Sequence, residues 1–288
     1  MKYSIITPTY NRRDLIARAI QSVLAQTYED FELVIVDDAS TDDTIQVVES
    51  FLYDKRIKLI KCEVNGGVNK ARNIGLNSIS DQSEAVTFLD SDDEFEPNAL
   101  ENMLAEMNLH EDINYFRFGV KYEDGKFANN LSHVGVKAGF DYYIKNLFTI
   151  GEWVCTFRRN IIDNGFKYST EVKAFEIIPY IALARQEDMF FSSKVVRKYY
   201  TGHESISNQK FSKEKLANTI KGYEIILNNN RDIKNISSKI FGILNHTLAN
   251  LYILDGRKRE GLKLTIRAFL AYPADLRIVR NLINFIIK

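Results

Sequence analysis

Val86-Thr87-Phe88-Leu89-Asp90-Ser91-Asp92-Asp93 is an apolar, β-branched run that ends in three carboxylates within four residues. The run predicts a strand over residues 85–89, buried on both faces. Toward the N-terminus, helical and strand patterns alternate. Asn65-Gly66-Gly67 breaks the chain before a helix predicted over 68–77. A strand is predicted at 57–60. The helix before it runs through Ile45, Val47, Val48 and Phe51, with Ser40 or Thr41 as its cap. Residues 31–36 are nearly continuous apolar, a second strand of the fully buried type. Leu15, Ile16, Ala19, Ile20, Val23 and Leu24 form a helical stripe within 14–26, and residues 3–7 make the first strand. On the far side of the acids, Pro97 fits the first turn of a helix through Met107. The order β-α-β-α-β-α-β implies a parallel sheet with helices on both faces. Ligands of such sheets bind beyond the carboxyl ends of the strands. Three polar clusters fall there, at residues 7–12, 37–43 and 90–93, and are predicted to converge in one crevice.

The whole chain has 288 residues, 45% of them hydrophobic and 26% charged, which excludes disordered and fibrous classes. Two cysteines, Cys62 and Cys155, cannot build a disulfide framework, so a reducing compartment is expected. No apolar run approaches the roughly 20 residues needed to cross a bilayer. Met1-Lys2-Tyr3-Ser4-Ile5-Ile6 leads straight into Thr7-Pro8 without the apolar core of a signal peptide. The expected location is the cytoplasm, with the inner face of the membrane as the alternative. Net charge is zero but unevenly spread. Residues 1–100 carry 10 Lys/Arg and 18 Asp/Glu, a balance of −8, and residues 201–288 carry 15 and 7, a balance of +8. An acidic front suits a site for a metal cation, and a basic tail suits an anionic surface; an ordinary solvated helical surface explains the tail equally well.

The middle of the chain is mixed. Strands are expected at 113–120, 153–157 and 195–200, with a turn at 123–126. Residues 186–191 open with acids and read as a helix start. From about residue 213 the pattern is helical, over 216–227, 236–254, 258–271 and 274–287. The tail interleaves Phe269, Leu270, Leu276, Ile278, Val279, Leu282, Ile283, Phe285, Ile286 and Ile287 with Arg267, Arg277, Arg280 and Lys288. This is a candidate basic amphipathic surface for a membrane, or a face packed on the rest of the protein or on a second subunit.

The residue types at the clusters carry their own chemistry. Three neighbouring carboxylates repel one another unless a cation neutralises them, and hard oxygen ligands suit Mg²⁺ or Mn²⁺; the alternative is an acidic turn before a helix. Asp38 can accept hydrogen bonds from a base or a ribose, or cap a helix. Tyr10 offers a stacking face, and Arg72 is placed on a helix to meet phosphate or base oxygens. Asp188 is a candidate general base or simply part of a helix start. His203, one of four histidines, is a candidate metal or phosphate contact. No G-x-G-x-x-G follows the first strand, which argues against a dinucleotide oxidoreductase.

Together these residues resemble the inverting family 2 glycosyltransferases of the GT-A fold. The resemblance is carried by Ser4 through Arg12, Gln26 through Asp42, Asn65-Gly66-Gly67 with Ala71-Arg72-Asn73-Ile74-Gly75-Leu76, and Phe88 through Asp93, in that order and spacing. A looser match continues in Phe157-Arg158-Arg159, Glu187-Asp188 and His203 with Ser205-Ile206-Ser207. It implies an α/β catalytic domain of the GT-A nucleotide-diphospho-sugar transferase fold over residues 1–208, with a nucleotide-binding half (1–110) and an acceptor-binding half (111–208). A helical C-terminal region follows over 209–288.

The resemblance also implies roles. Pro8 and Tyr10 would flank the base, Asp38 would hydrogen-bond it, and Arg72 would sit over the base and phosphates. Asp90 would lie near the ribose, and Asp92 with Asp93 at a Mn²⁺ or Mg²⁺ ion, with His203 nearby. Asp188 would be the general base of an in-line, inverting displacement. Glu187 and Trp153 would bind the acceptor. The donor would be a nucleotide sugar, UDP-linked by family frequency, and the acceptor a saccharide or lipid-linked hydroxyl of the cell surface. Nucleic acid is not expected as a partner, and a homo-oligomer stays open. The segment 165–184 departs from the family pattern. Two other functions fit the residues. One is a non-catalytic nucleotide-sugar-binding module. The other is a nucleotidyltransferase, against which the lack of a Gly-rich, basic loop after the first strand weighs.

Overall fold

The computed structural model describes residues 1–201 and 212–280. In chain order the elements are β1 (Lys2–Thr9), α1 (Ile16–Leu24), β2 (Phe31–Asp37), α2 (Thr44–Glu49), β3 (Ile57–Lys61), α3 (Val68–Leu76), β4 (Ser83–Phe88), β5 (Glu94–Phe95) and α4 (Ala99–Leu109). They continue as β6 (Tyr115–Tyr122), β7 (Lys137–Ala138), α5 (Phe140–Lys145), β8 (Val154–Arg158), α6 (Arg159–Asp163), α7 (Ile177–Ala184) and β9 (Met189–Tyr199). Among the described residues that follow, the helices are α8 (Lys213–Asn229), α9 (Ile233–Ile236), α10 (Ser238–Leu254) and α11 (Lys258–Ala271), and residues 276–280 are helical as well. The chain divides into two compact units, Met1–Gly139 with Phe148–His203, and Phe140–Leu147 with Glu204–Lys288.

The first unit is built on a nine-stranded sheet of order β3-β2-β1-β4-β8-β6-β9-β5, with β7 paired to β9. The predicted N-terminal half is present: β1, β2, β3 and β4 are parallel neighbours. Ile5, Ile6, Leu33, Val34, Ile35, Val36 and Val86 are each at most 1% exposed, as strands covered on both faces require. The register sets Thr9 opposite Asp37 and Ile6 opposite Phe88, so β1, β2 and β4 end at one edge of the sheet. Antiparallel β8 then reverses the direction, and β6 returns it. β9 runs parallel to β6, from Met189 opposite Tyr115 to Tyr199 opposite Tyr122.

Two local expectations are overturned. Residues 186–191 do not start a helix: α7 ends at Ala184, and β9 begins at Met189. Ser40 and Thr41 do not cap α2. The Ser40 hydroxyl accepts from the Asn11 backbone N–H at 2.9 Å, while the Asp42 carboxylate accepts from the Thr44 N–H at 3.0 Å.

The described residues of the second unit are mainly helical. α10 and α11 pack closely at Gly261, where a Cβ would lie 2.7 Å from Ile253 Cγ1 and 3.1 Å from the Ala249 carbonyl oxygen. Glycine there permits the approach. No described helix is long and apolar enough to cross a membrane.

Candidate active site

The loops after β1, β2 and β4 form the crevice edge, and each is locally specified. Asn11 (φ 51°) and Ala39 (φ 64°) adopt left-handed backbone that non-glycine residues rarely take. The Asn11 side-chain oxygen accepts from the Thr41 N–H at 2.8 Å, which ties the two loops together. Pro8 is buried at the end of β1 opposite Val36. Tyr10, the next aromatic, is 42% exposed and free to meet a planar ligand. Asp38 is only 3% exposed. Its carboxylate accepts from the Gly66 N–H at 2.8 Å and the Gly67 N–H at 2.7 Å. It therefore anchors the turn that opens α3. Gly67 has φ 86° with a Cβ site 3.0 Å from the Lys173 carbonyl oxygen, so only glycine fits there.

α3 brings Arg72 inward. It is 4% exposed, donating from Nη2 to Asp90 Oδ1 at 3.0 Å and from Nη1 to the Glu176 carboxylate. Asp90 in turn meets Arg197 Nη1 at 3.4 Å. Arg197, on β9 and also 4% exposed, reaches Glu152 Oε1 from Nη2 at 2.6 Å and Asp93 Oδ2 from Nε at 3.4 Å. Beside this row Arg12 Nε lies 3.7 Å from Asp92 Oδ2. The result is an alternating chain of charge, Glu176–Arg72–Asp90–Arg197–Glu152, with Asp92 and Asp93 at its flank. Among the described residues of this cluster, five carboxylates face three guanidinium groups.

The electrostatics follow from burial. Desolvation works to raise the pKa of Asp90, but Arg72 and Arg197 overcome it and hold the carboxyl below its ordinary range. Asp93 has the opposite outcome: burial pushes it up to about 7, against the pull of Arg197. Burial also opposes the charge on Arg197, yet Glu152, Asp93 and Asp90 keep it firmly protonated.

Asp90, Asp92, Arg72 and the Tyr10 loop gather as the sequence predicts. Asp93 does not present a metal ligand. It is 0% exposed, with Oδ1 accepting from the Tyr200 N–H at 3.1 Å, so it is a buried strut of the loop. Trp153, expected at the acceptor, is 5% exposed. Its indole donates to the Ile150 carbonyl at 2.7 Å and its ring packs edge-on against Phe191. Burial withdraws it from any ligand.

Glu187 and Asp188 are in the wrong place for their expected roles. Tyr115 pairs with both Met189 and Phe157, and Phe157 pairs with Val86. Asp188 therefore lies level with the early part of β4, at the amino end of the sheet. At about 3.3 Å per residue, β9 carries the chain roughly 25–30 Å from there to Arg197. The neighbours agree: Asp188 pairs with Lys137 at 3.9 Å, and Glu187 accepts from the Asn114 side chain at 3.0 Å, ahead of β6. The expectation of Asp188 as base and Glu187 as acceptor contact fails on this geometry. His203 lies outside the described residues.

Sequence reasoning missed Glu176, Glu152 and Arg197. Glu176 follows Phe175, whose φ of 81° is the third non-glycine residue with left-handed backbone among those described. Such strain gathers where a site over-determines its backbone. The loop that delivers Glu176 is clamped by α3. Asn69 Nδ2 donates to the Ser169 and Ala174 carbonyls, each at 2.9 Å, and Asn73 exchanges hydrogen bonds with the Tyr168 backbone at 2.8 and 2.9 Å. The signal for Arg197 was legible: an arginine beside Val195 and Val196 in a strand needs buried acids.

Among the described residues no group of three or more His, Cys, Asp or Glu side chains is arranged to hold a metal by itself. The excess of carboxylate oxygen fits a divalent ion only if a ligand supplies further oxygens.

Residues 4–166 match the family described as Glycosyl transferase family 2. The chain is 33% identical over 191 residues to the minor teichoic acid biosynthesis protein GgaA of Bacillus subtilis, covering 60% of this chain and 41% of that protein. It is 30% identical over 203 residues to a GalNAc(5)-diNAcBac-PP-undecaprenol beta-1,3-glucosyltransferase of Campylobacter jejuni, covering 69% and 64%. The chain thus spans less than two thirds of the length of these relatives. Among solved structures, Staphylococcus aureus TarS 1–349 in complex with UDP-GlcNAc superposes with a TM-score of 0.70 at 22% identity, over 94% of this chain and 81% of that one. A mannosyltransferase of Pyrobaculum calidifontis with GDP-Man and Mn2+ superposes at 0.57 and 16% identity, over 98% and 79%. These two likenesses establish the GT-A fold.

Proposed function

Because this chain belongs to glycosyl transferase family 2, we propose that it transfers a hexosyl or N-acetylhexosaminyl unit from a nucleotide-diphosphate donor to a hydroxyl of a cell-surface polymer or lipid-linked saccharide, inverting the anomeric carbon. The observation that carries the reading is the row Glu176–Arg72–Asp90–Arg197–Glu152 at the carboxyl ends of β4 and β9, beside the exposed Tyr10. Relatives in teichoic acid synthesis and neighbours holding UDP-GlcNAc or GDP-Man support the polymer acceptor and the nucleotide-sugar donor. A UDP-sugar is the first donor to test.

In this mechanism Tyr10 stacks on the base, with the Pro8 and Asp38 loops as its walls. Arg72 shares its guanidinium between Asp90 and the ligand's oxygens. Asp92 would hold Mn²⁺ or Mg²⁺ together with diphosphate oxygens, and the ion would neutralise the leaving group. Glu176, 43% exposed, takes the acceptor proton in place of Asp188. Arg72 holds its carboxylate toward the crevice, and the clamp from α3 fixes its loop.

The same proposal includes contact with an anionic membrane face. Of the basic amphipathic surface expected from the sequence, Leu270 and Leu276 are 77% and 79% exposed, Ile278 is buried, and Leu282, Ile283, Phe285, Ile286, Ile287 and Lys288 lie outside the described residues.

A donor screen tests the function. The protein is incubated with UDP-, GDP- and dTDP-sugars and Mn²⁺, and released nucleoside diphosphate is read out. Release from one donor class, stimulated by a polymer acceptor, is expected. Binding of nucleotide sugars without release would favour the non-catalytic module. Pyrophosphate released from a nucleoside triphosphate would favour the nucleotidyltransferase.

A further inference from the structure

Glu152 combines features that the donor site does not require. Its side chain is 52% exposed, yet one oxygen is fixed 2.6 Å from a buried guanidinium nitrogen. Its backbone is fixed as well. Gly151 has φ 80° and bridges Asn129, and its Cβ site lies 2.9 Å from both the Ala128 carbonyl oxygen and the Asn130 nitrogen. The Glu152 N–H donates to the Ala128 carbonyl at 3.2 Å, and the Asn130 N–H donates to the Ile150 carbonyl at 3.1 Å. No side chain fits at 151, so the position of 152 is set before any ligand arrives. Among the described residues, Glu152 Oε2 accepts no hydrogen bond. The other carboxylates on Arg197 differ: Asp93 is wholly buried, and Asp90 is shared with Arg72.

A half-exposed carboxylate held by a buried arginine, which it shares with Asp90, is a preorganised acceptor for O–H donors. Sugars present such donors in pairs, and charge-assisted O–H···O⁻ bonds are strong and directional. We propose that Glu152 is a sugar-recognition residue, accepting hydrogen bonds from hydroxyls of a bound saccharide, and that Arg197 is its positioning residue. This rests on the function proposed above. Arg197 links the two tasks of the crevice, since one guanidinium fixes both the Asp90 loop and the sugar-facing carboxylate.

The hydroxyls belong either to the donor sugar or to the acceptor, and Glu152→Gln separates the two. Gln keeps the shape and removes the charge. Hydrolysis of the nucleotide sugar without acceptor gives the donor KM, and transfer at saturating donor gives the acceptor KM. One of the two is expected to rise roughly tenfold or more, the scale of one hydrogen bond to a charged group. The rise in that KM is expected to exceed any fall in kcat. Glu152→Asp, which keeps the charge on a shorter arm, should recover part of the loss. Both KM values unchanged in a folded, active Glu152→Gln protein would overturn the proposal, as would a fall in kcat alone. A wild-type protein that turns over no donor is a different failure, that of the functional reading itself.

Discussion

Arg72 and Arg197 are each 4% exposed and each held between carboxylates. Each guanidinium keeps a second carboxylate when one is neutralised, so a single change in the row leaves no buried charge unpaired. The arrangement makes roles at this scale separable. Glu176→Gln should lower kcat by about 10²–10⁴, the usual contribution of general-base assistance, with little change in donor affinity. Asp188→Asn, at the other end of β9, should leave kcat intact. Steady-state kinetics on both variants checks the assignment, and the reverse pattern would restore Asp188. Asp93 makes a pH prediction. Its folded carboxyl sits at about 7 against an ordinary 3.8, so between these values the folded state holds the proton more tightly than the unfolded chain. Its contribution to stability is complete below about 3.8 and is lost as pH rises through about 7. Asp93→Asn, a mimic of the protonated form, should therefore gain in Tm relative to wild type as pH rises across that window. A difference in Tm that is flat with pH would refute this.

Elements decide which of these residues meet. β9 was legible only in its second half, because Ser192-Ser193-Lys194 interrupts its apolar run. Ser192 is 0% exposed and donates to the Glu106 carboxylate, so a side chain elsewhere in the chain makes that polar break tolerable inside a sheet. The acids at 187 and 188 suggest a helix start for the same reason they suggest a base: neither reading uses the strand pairing that sets their level. α3 is the element whose placement matters most to the site, since it supplies Arg72 and clamps the Glu176 loop. It lies against β1 at Gly75, where an added Cβ would come 2.4 Å from Ile6 Cγ2. Gly75→Ala should cost about 1–3 kcal/mol by overpacking, read by denaturant unfolding. It should also depress activity more than a surface Gly125→Ala, which meets nothing within 4 Å.

On the scale of the whole molecule, the charge imbalance noted in the sequence falls on different units. The acidic third, at −8, contains the crevice loops, and the basic region supplies α11 with its exposed Leu270. Binding to vesicles containing anionic phospholipid should be detectable by flotation at low salt and weaken as ionic strength rises. Leu270→Glu with Arg267→Glu should abolish it, and binding that ignores both salt and these changes would end the membrane reading. The sequence by itself determined the alternation of strand and helix, the parallel half-sheet, the carboxyl-end crevice and the family. Each of these follows from periodicities and loop residues that are local in the chain. Only the tertiary structure decided which acids share that crevice. Strand level comes from register between β4, β8, β6 and β9, pairings spanning tens of residues. Through it Glu152 and Glu176 reach the guanidinium groups of Arg197 and Arg72, while Asp188 is carried to the opposite edge.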